Sequence, residues 1–326
     1  MTTYNHGQTI ARALDSVLSQ QCRWPIEIIL GEDCSTDDTR AICQQYAAKH
    51  PDIIRLFCNE KNKGLTDNYF DCLIQCKGNY IADCAGDDFW VDKNKLEKEL
   101  DVLENHPEVT IVHTDWLYFD EHNSTTSTPP PTPFTAPFTE GKQMLPAIVT
   151  QTQRPVIHLC TALMRAETIL HAYHEDTFMF RNKDFGCEDL QIAAALANAG
   201  TVAWLPDITL HYSIGHASVS TQPDARRQFH FVKDVTSLSC YLADKYGISN
   251  DVLKPYLSRR LFALAMHAFR AHDTQLREEA VECIKKWQPN GTAAVKGVMM
   301  VMSHPWLWSL ALQVRKIIVS VKKVFR

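Results

Sequence analysis

Residues 78–95 read GNYIADCAGDDFWVDKNK, and the order of residue types in that run decides what kind of fold surrounds it. Tyr80-Ile81-Ala82 is a short strand, Ala85-Gly86 a sharp turn, and two adjacent carboxylates, Asp87 and Asp88, stand just beyond it. Phe89-Trp90 and a helix beginning near Lys93 follow. A strand end fixes position, glycine lets the backbone fold tightly, and acids in such a place can hold a divalent cation against a phosphate. The same two acids are equally suited to capping the turn and the next helix. The rest of the chain has to decide between these uses.

Toward the amino end, Gln8 to Gln20 carries Ile10, Leu14, Val17 and Leu18 at helical spacing. Ile26 to Leu30 is a buried strand that stops at the acidic loop Gly31-Glu32-Asp33-Cys34-Ser35-Thr36-Asp37-Asp38. A helix from Thr39 to Lys49 is closed by His50-Pro51. Then come a strand from Ile53 to Cys58, a loop from Asn59 to Gly64 and a helix from Leu65 to Lys77. Beyond the carboxylates, a helix over Asn94 to Asn105 and a strand over Val109 to His113 complete the series. Strands and helices alternate at spacings suited to βαβ units, which predicts an α/β fold with a Rossmann-like, mostly parallel sheet flanked by helices. In such sheets ligands sit beyond the carboxyl ends of the strands. The loops 31–38, 59–64 and 83–90 all fall there and should converge on one crevice. Neither GxGxxG nor GxxxxGK[ST] occurs, so a phosphate would need a metal instead.

In the second half, Ser124 to Thr139 is rich in Pro, Ser and Thr and reads as extended, unpacked chain. It suits a loop crossing a site as well as it suits a linker. Gly141 to Ile148 reads as a helix, and His158 to Arg165 as strand-like, leading to a helix at Ala166. Phe185-Gly186-Cys187-Glu188-Asp189-Leu190 opens a helix that continues from Gln191 to Ala199. Val202 to Leu205 is a strand and Pro206-Asp207 a turn, and residues 210–220 read LHYSIGHASVS. Gln228 to Trp287 is helical throughout. Beyond Glu282 no acidic residue occurs, while Lys285, Lys286, Lys296, Arg315, Lys316, Lys322, Lys323 and Arg326 are basic and Trp306 and Trp308 lie among them. The apolar runs there are too short to span a bilayer. A basic, Trp-containing, amphipathic segment fits the surface of an anionic membrane, and packing against the protein's own core is its alternative.

Composition sets the outer bounds. With 326 residues, a net charge of −5 and no global basic field, the chain is no dedicated nucleic-acid binder. Its eleven cysteines are scattered without a CxxC pair, which argues against zinc. An odd count after the polar start MTTYNHGQT fits reduced, cytoplasmic thiols.

Taken together, TTYNHGQTIARALDSVLSQ, IEIILGEDCSTDDT, NKG and GNYIADCAGDDFW resemble, in order and spacing, the nucleotide-sugar half of a family 2 glycosyltransferase with the GT-A fold. The resemblance covers residues 1 to about 220 and implies a transferase domain over 1–225, while the helical pattern beyond it predicts a helical appendage over 226–290 and the basic, amphipathic composition a membrane-associated tail over 291–326. By that resemblance Thr3, Tyr4, Glu32 and Asp33 contact the nucleotide, with Asn5, Asn62, Gly64 and Asp88 beside them. Asp87 matches the metal-binding acid of the family's DxD motif, for Mg²⁺ or Mn²⁺, and His216 would complete the metal shell or touch the diphosphate, a solvated loop histidine being its alternative. Glu188-Asp189 resembles the family's Glu-Asp motif, in which the Asp is the catalytic base and Glu188 would orient it. Their other use is helix capping. Arg226 and Arg227 would reach the leaving phosphates. The family's function implies a nucleotide-diphospho-sugar donor, a glycan or lipid-linked acceptor, and bacterial surface-polysaccharide or lipopolysaccharide assembly at the cytoplasmic face of the inner membrane.

Two departures are visible in the residues. Ala85 stands where many members have an acid, and Asp83 could replace it only if the strand end is distorted. Members also carry a full apolar strand before Thr-Tyr-Asn, where this sequence has Met1. A truncated first strand is therefore expected. Two other functions stay open. A nucleotidyltransferase would need a Gly-rich, basic phosphate loop near its start, where only Gly7 occurs. A degenerate transferase serving as a nucleotide-sugar-binding or scaffold subunit would be consistent with Ala85.

Overall fold

The computed structural model describes residues 1–151, 154–215, 224–288, 293–304, 306–311 and 313–314. The chain divides into two compact units, Met1–His216 and Ala217–Arg326.

In the first unit, strand β1 (Thr2–Thr3) precedes helix α1 (Ile10–Leu18), β2 (Ile28–Glu32), α2 (Thr39–Lys49), β3 (Ile54–Cys58), α3 (Leu65–Leu73), β4 (Tyr80–Ala82), β5 (Phe89–Trp90) and α4 (Lys95–Asn105). Then follow β6 (Val109–Asp120), β7 (Thr125–Ser127), β8 (Phe138–Glu140), α5 (Gly141–Val149), a 3-10 turn (Leu159–Thr161) and β9 (Leu163–Arg165). The unit closes with α6 (Ala166–Glu175), α7 (Thr177–Arg181), α8 (Asp189–Ala199) and β10 (Thr201–Ile214). Helix and strand thus alternate as the periodicity predicts, because each helix buries one stripe against a sheet face. In α1 that stripe is Ile10, Ala13, Leu14 and Val17.

The strands form two sheets. One is parallel, in the order β1-β2-β3. The other runs β4-β9-β6-β10-β5, with β7 on β6 and β8 on β10. Within it β6 and β10 are parallel neighbours, while β9 is antiparallel to β4 and β6, and β5 is antiparallel to β10. Buried Leu14, Leu30, Leu103, Val109 and Leu210 belong to a core that runs through both sheets.

Pro206-Asp207 does not turn the chain as expected. Strand β10 continues through it, and the ladder with β6 shifts register between Leu205 and Ile208 and again before Leu210. A proline cannot donate to the ladder, and a bulge accommodates it. The Pro-rich run is mostly exposed, with Pro129 buried and the short strands β7 and β8 at its ends. The second unit contains α9 (Ala225–Lys245), α10 (Asn250–Ala271), α11 (Thr274–Trp287) and α12 (Ala293–Ser303) around Phe229, Tyr256, Leu261, Leu264, Ala280 and Ile284. Among the described residues no helix is long and apolar enough to cross a membrane.

Candidate active site

The carboxyl ends of β1, β2 and β4 carry most of the residues singled out in the sequence. Past β1, the loop takes a left-handed conformation at Asn5 (φ 56°) and is stitched to the loop after β2. Ser35 Oγ accepts the Asn5 N–H at 3.0 Å, and Asn5 Oδ1 accepts the Thr36 N–H at 2.8 Å. Asp37 Oδ2 accepts the Gly7 N–H at 2.9 Å. Tyr4 is 43% exposed.

Asp33 draws the third loop in. Its Oδ1 accepts the Asn59 side-chain amide at 2.9 Å and the Lys63 N–H at 2.8 Å, and its Oδ2 accepts the Gly64 N–H at 2.9 Å. The Asn62 amide donates to the Asp33 carbonyl at 3.0 Å. Asp33, Asn62 and Gly64 are therefore one hydrogen-bonded group. Gly64 sits at φ 88°, a conformation that glycine adopts freely. Glu32 faces inward and is fully buried, its carboxylate held by the Ser35 N–H and the Arg40 guanidinium. Burial raises its pKa, but Ser35 and Arg40 outweigh that and keep it below the usual carboxylate range.

The Asp87-Asp88 turn lies across the end of β1. The Gly86 N–H donates to the Thr2 carbonyl at 3.0 Å, and Thr9 Oγ1 donates to the Gly86 carbonyl at 3.0 Å. A Cβ at residue 86 would stand 2.6 Å from Thr3 Oγ1 and 2.8 Å from His6 Nδ1, so only glycine fits there. Thr3 Oγ1 is buried and has no hydrogen-bond partner. Asp87 keeps a partly open carboxylate with His6 Nε2 3.8 Å away. Asp88 is buried, and its Oδ1 accepts the Ser213 N–H at 2.9 Å. Burial and then the charge of Asp87 push the Asp88 carboxyl well above its ordinary range. Two adjacent carboxylates that repel in this way are a fit for a hard divalent cation, which takes one or two protein carboxylates and completes its shell with phosphate and water. Among the described residues no group of three or more His, Cys, Asp or Glu side chains could hold a metal alone. His216 lies outside the described residues.

The second pair of acids opens α8. Glu188 stands at the N-cap without a side-chain capping bond, and Asp189 is the first helical residue. Glu188 Oε2 is buried with no hydrogen-bond partner. Burial, then the charge of Asp83, pushes Asp189 up to about 6, while its hydrogen bond with Glu188 pulls the other way. Burial and the charges of Asp189 and Asp83 push Glu188 well above its usual range. Both carboxyls are thus shifted toward the neutral form, and the pair titrates as a unit.

Asp83 is near enough to Glu188-Asp189 for its charge to act on both. It is buried, Tyr69 hydrogen-bonds it, and the charges of Asp83, Glu188 and Asp189 add to burial in raising the Tyr69 phenol. Composition and spacing did not single out His6, Tyr69 or His158. Burial and then Arg154 hold His158 down at about 4, with Asp87 pulling upward. The one available signal was position, since His6 follows Thr-Tyr-Asn directly. Arg226, expected near the phosphates, pairs with Asp273 at 2.6 Å inside the second unit.

Comparison with known proteins places this geometry. The model of glycosyl transferase family 2 matches residues 1–169, a span that contains the Asp87-Asp88 turn and ends before Glu188-Asp189. EpsE of Bacillus subtilis, which carries a glycosyltransferase name, is 42% identical over 122 residues, covering 37% of this chain and 43% of EpsE. TuaG of the same organism, named for teichuronic acid biosynthesis, is 38% identical over 102 residues, covering 31% of this chain and 39% of TuaG. The chain matches between 32% and 43% of the length of the curated relatives that head the comparison. TarS of S. aureus, solved with UDP-GlcNAc, superposes with a TM-score of 0.56 at 16% identity, over 92% of this chain and 89% of that one. The mannosyltransferase PcManGT of Pyrobaculum calidifontis, solved with GDP-Man and Mn²⁺, superposes with a TM-score of 0.51 at 15% identity, over 99% and 85%. At such identities the likeness speaks for the fold, which is GT-A. A match over half the chain, which spans the acidic loop after β2 and the turn after β4, makes this chain a member of glycosyl transferase family 2.

Proposed function

We propose that the chain transfers a sugar from a nucleotide-diphospho-sugar to an acceptor hydroxyl, with inversion, in the assembly of a bacterial surface polysaccharide. The observation that carries this reading is the buried carboxyl pair that opens α8, in which burial and then Asp83 raise Asp189 to about 6 beside Glu188. A sugar hydroxyl is a poor nucleophile, and a carboxylate must take its proton as the new bond forms. Asp189 receives that proton, the acceptor oxygen bonds to the anomeric carbon, and the bond from that carbon to the diphosphate oxygen breaks. One displacement inverts the centre.

Asp33, Asn62, Gly64 and the exposed ring of Tyr4 would receive the base and ribose, with Thr3 and Asn5 shaping the same loop. Glu32 would act from beneath, by fixing Ser35 and Arg40. Asp87, with Asp88 behind it and His216 as a further ligand, would hold Mg²⁺ or Mn²⁺. When bound, such an ion supplies positive charge against the departing diphosphate. The relative named for teichuronic acid biosynthesis supports the polysaccharide setting, and a glycan or lipid-linked acceptor follows from it. The chain carries free cysteines throughout, which suits a cytoplasmic setting at the inner face of the membrane.

A donor panel on the purified protein with Mn²⁺ or Mg²⁺, following release of nucleoside diphosphate, tests the reading. Release from one donor, lost in Asp87→Ala and in Asp189→Asn, is expected. Unchanged turnover in Asp189→Asn would remove Asp189 as the base. A second reading has one observation in its favour: Ala85 supplies no acid, and Asp83 faces Tyr69 instead of taking its place. Tight donor binding without turnover on any glycan or lipid-linked acceptor would select a nucleotide-sugar-binding scaffold.

A further inference from the structure

Helix α3 touches both groups of site residues. At its start the Lys63 and Gly64 N–H groups donate to Asp33. Within its first turn Asn68 donates its side-chain amide to the Gly31 carbonyl at 3.1 Å and accepts that of Asn59 at 2.9 Å. The loops after β2 and β3 are therefore tied to the beginning of α3. Arg181, the last residue of α7, is tied to the same helix. Its Nη1 lies 2.8 Å from Asp71 Oδ1 and donates to the Asp67 carbonyl at 3.2 Å, while its Nε donates to the Tyr173 hydroxyl at 2.9 Å. The guanidinium also lies 5.6 Å from the centre of the Tyr173 ring and 5.9 Å from that of Phe70.

Asp71 serves two cations. Its Oδ2 accepts Lys63 Nζ at 2.8 Å while its Oδ1 pairs with Arg181. Burial raises the Asp71 carboxyl, but the bonds from Lys63 and Arg181 outweigh it and hold the group below the usual carboxylate range. One carboxylate thus connects the loop 59–64 with the end of α7. From Arg181, residues 182–187 lead directly to Glu188. They are folded onto α7. Asn182 Oδ1 accepts the Asp184 N–H at 3.0 Å, the Asn182 carbonyl accepts the Phe185 N–H at 3.1 Å, and buried Phe185 meets Phe178 edge-on at 5.8 Å. At the far end the Cys187 carbonyl accepts the Gln191 amide at 2.8 Å. Glu188 makes no side-chain capping bond of its own, so the acid pair takes its place from α8 and from this lead-in.

We propose that Arg181 is a positioning residue for Glu188-Asp189, and that the shared carboxylate of Asp71 couples it to the loop 59–64. Ordering that loop around a nucleotide then also orders the stretch that carries the base. The inference rests on the reading of Asp189 as base and of the Asp33 loop as donor site. The two cations carry unequal weight. Lys63 and Asp71 are 38% and 40% exposed, and a pair so exposed contributes little by itself. Arg181 is 21% exposed, and its planar fork bonds Asp71, Asp67 and Tyr173 together, which a lysine cannot reproduce. Coupling between the two sites is reciprocal, so whatever the nucleotide does to residues 182–187 they return as nucleotide affinity.

The test follows hydrogen exchange of the Phe185 amide, alongside turnover, in the whole chain and in Arg181→Gln, Arg181→Lys and Lys63→Met. We expect Arg181→Gln to speed Phe185 exchange at least about tenfold and to lower kcat at least about tenfold, since a base displaced by about 1 Å costs on the order of a hundredfold. Affinity for UDP or GDP with Mn²⁺ should change by no more than about fivefold, the reach of one exposed ion pair. Arg181→Lys should recover only part of the protection. In the wild type the better-binding of the two nucleotides should slow Phe185 exchange about threefold, and Lys63→Met should abolish that slowing. Unchanged Phe185 exchange in Arg181→Gln would overturn the positioning role. Equal slowing in Lys63→Met, or no slowing by either nucleotide in the wild type, would overturn the coupling. Lys63→Met changes an exposed side chain and keeps the test decisive should Arg181→Gln fail to fold. Absence of turnover in the wild type with every donor would count against the transferase reading, and the exchange comparison would still decide this one.

Discussion

Asp189 gains its chemistry from its neighbours. A carboxylate alone in water would be a weak base at neutral pH, and burial with Asp83 nearby moves this one to about 6. The sign is definite. Below about pH 6 Asp189 is protonated and takes no proton, so kcat/KM should fall on the acid side and level off above about 6. Asp83→Asn removes a neighbouring negative charge, and the acid limb of the pH profile should move to lower pH in that variant. An unmoved limb would detach Asp83 from the base. Gly86 makes a second prediction at this scale. Gly86→Ala sets a methyl 2.6 Å from Thr3 Oγ1 and 2.8 Å from Thr3 Cβ. That should cost about 1–3 kcal/mol in denaturant unfolding and weaken donor binding as the turn shifts off β1. Residue types and spacing drew attention to Asp87, Asp88 and the acidic loop around Asp33, and the family resemblance was needed to prefer a site over helix capping at Glu188-Asp189. They could not assign Asp83 to Glu188-Asp189, because strand β4 ends at Ala82 and the direction of the next side chain depends on how the turn leaves the sheet.

Helix α4 shows what the linear sequence hides at the scale of elements. Lys95 and Glu99 are four residues apart, a spacing that on most helices marks a solvated pair of small value. Here both side chains are fully buried, Nζ to Oε2 is 2.7 Å, and the ammonium lies 4.5 Å from the centre of the Trp90 ring. Burial pushes the Glu99 carboxyl up to about 7 even with Lys95 pulling it down. Removing Lys95 leaves the Glu99 carboxyl buried without its partner, so Lys95→Met should destabilise by about 1–3 kcal/mol, whereas Lys95→Met with Glu99→Leu should recover most of that loss. Equal destabilisation in the single and double variants, measured by chemical unfolding, would show that the pair is not coupled. The same difficulty governs the strands. Apolar runs located β2, β3, β4 and the start of β6, but β10 was legible only to Leu205. Its passage through Pro206-Asp207 depends on β6 lying alongside to carry the bulge. Alternating pattern reports a strand's own sequence, and a shifted register reports its partner's.

At the scale of the molecule the carboxyl-terminal segment is neither a free amphipathic tail nor simply core. Val295, Met302 and Trp308 are buried in the second unit, Trp308 edge-on to Phe269 at 5.5 Å. Met300, Trp306, Leu310 and Val314 are exposed, Met300 at 61% and Trp306 at 65%. One face docks the segment and another presents large apolar side chains to solvent, while no acid follows Glu282 in the sequence. An exposed apolar face in a stretch of sequence whose only charged residues are basic suits the interface of an anionic bilayer, where each cation near the surface adds about 1 kcal/mol and salt weakens the attraction. The protein should therefore sediment with vesicles containing phosphatidylglycerol and not with purely zwitterionic ones, and added salt should release part of it. Met300→Gln with Trp306→Ser should cut binding at least about tenfold, 1.4 kcal/mol, without lowering the Tm, because both positions face away from the core. A fall in Tm with binding unchanged would make this face structural. Equal binding to both vesicle types would leave the apolar contact and remove the charge from the argument. The acceptor for a transferase held at such a surface would then be presented from the bilayer, so soluble and lipid-linked acceptors should differ in KM in the wild type and converge in the double variant.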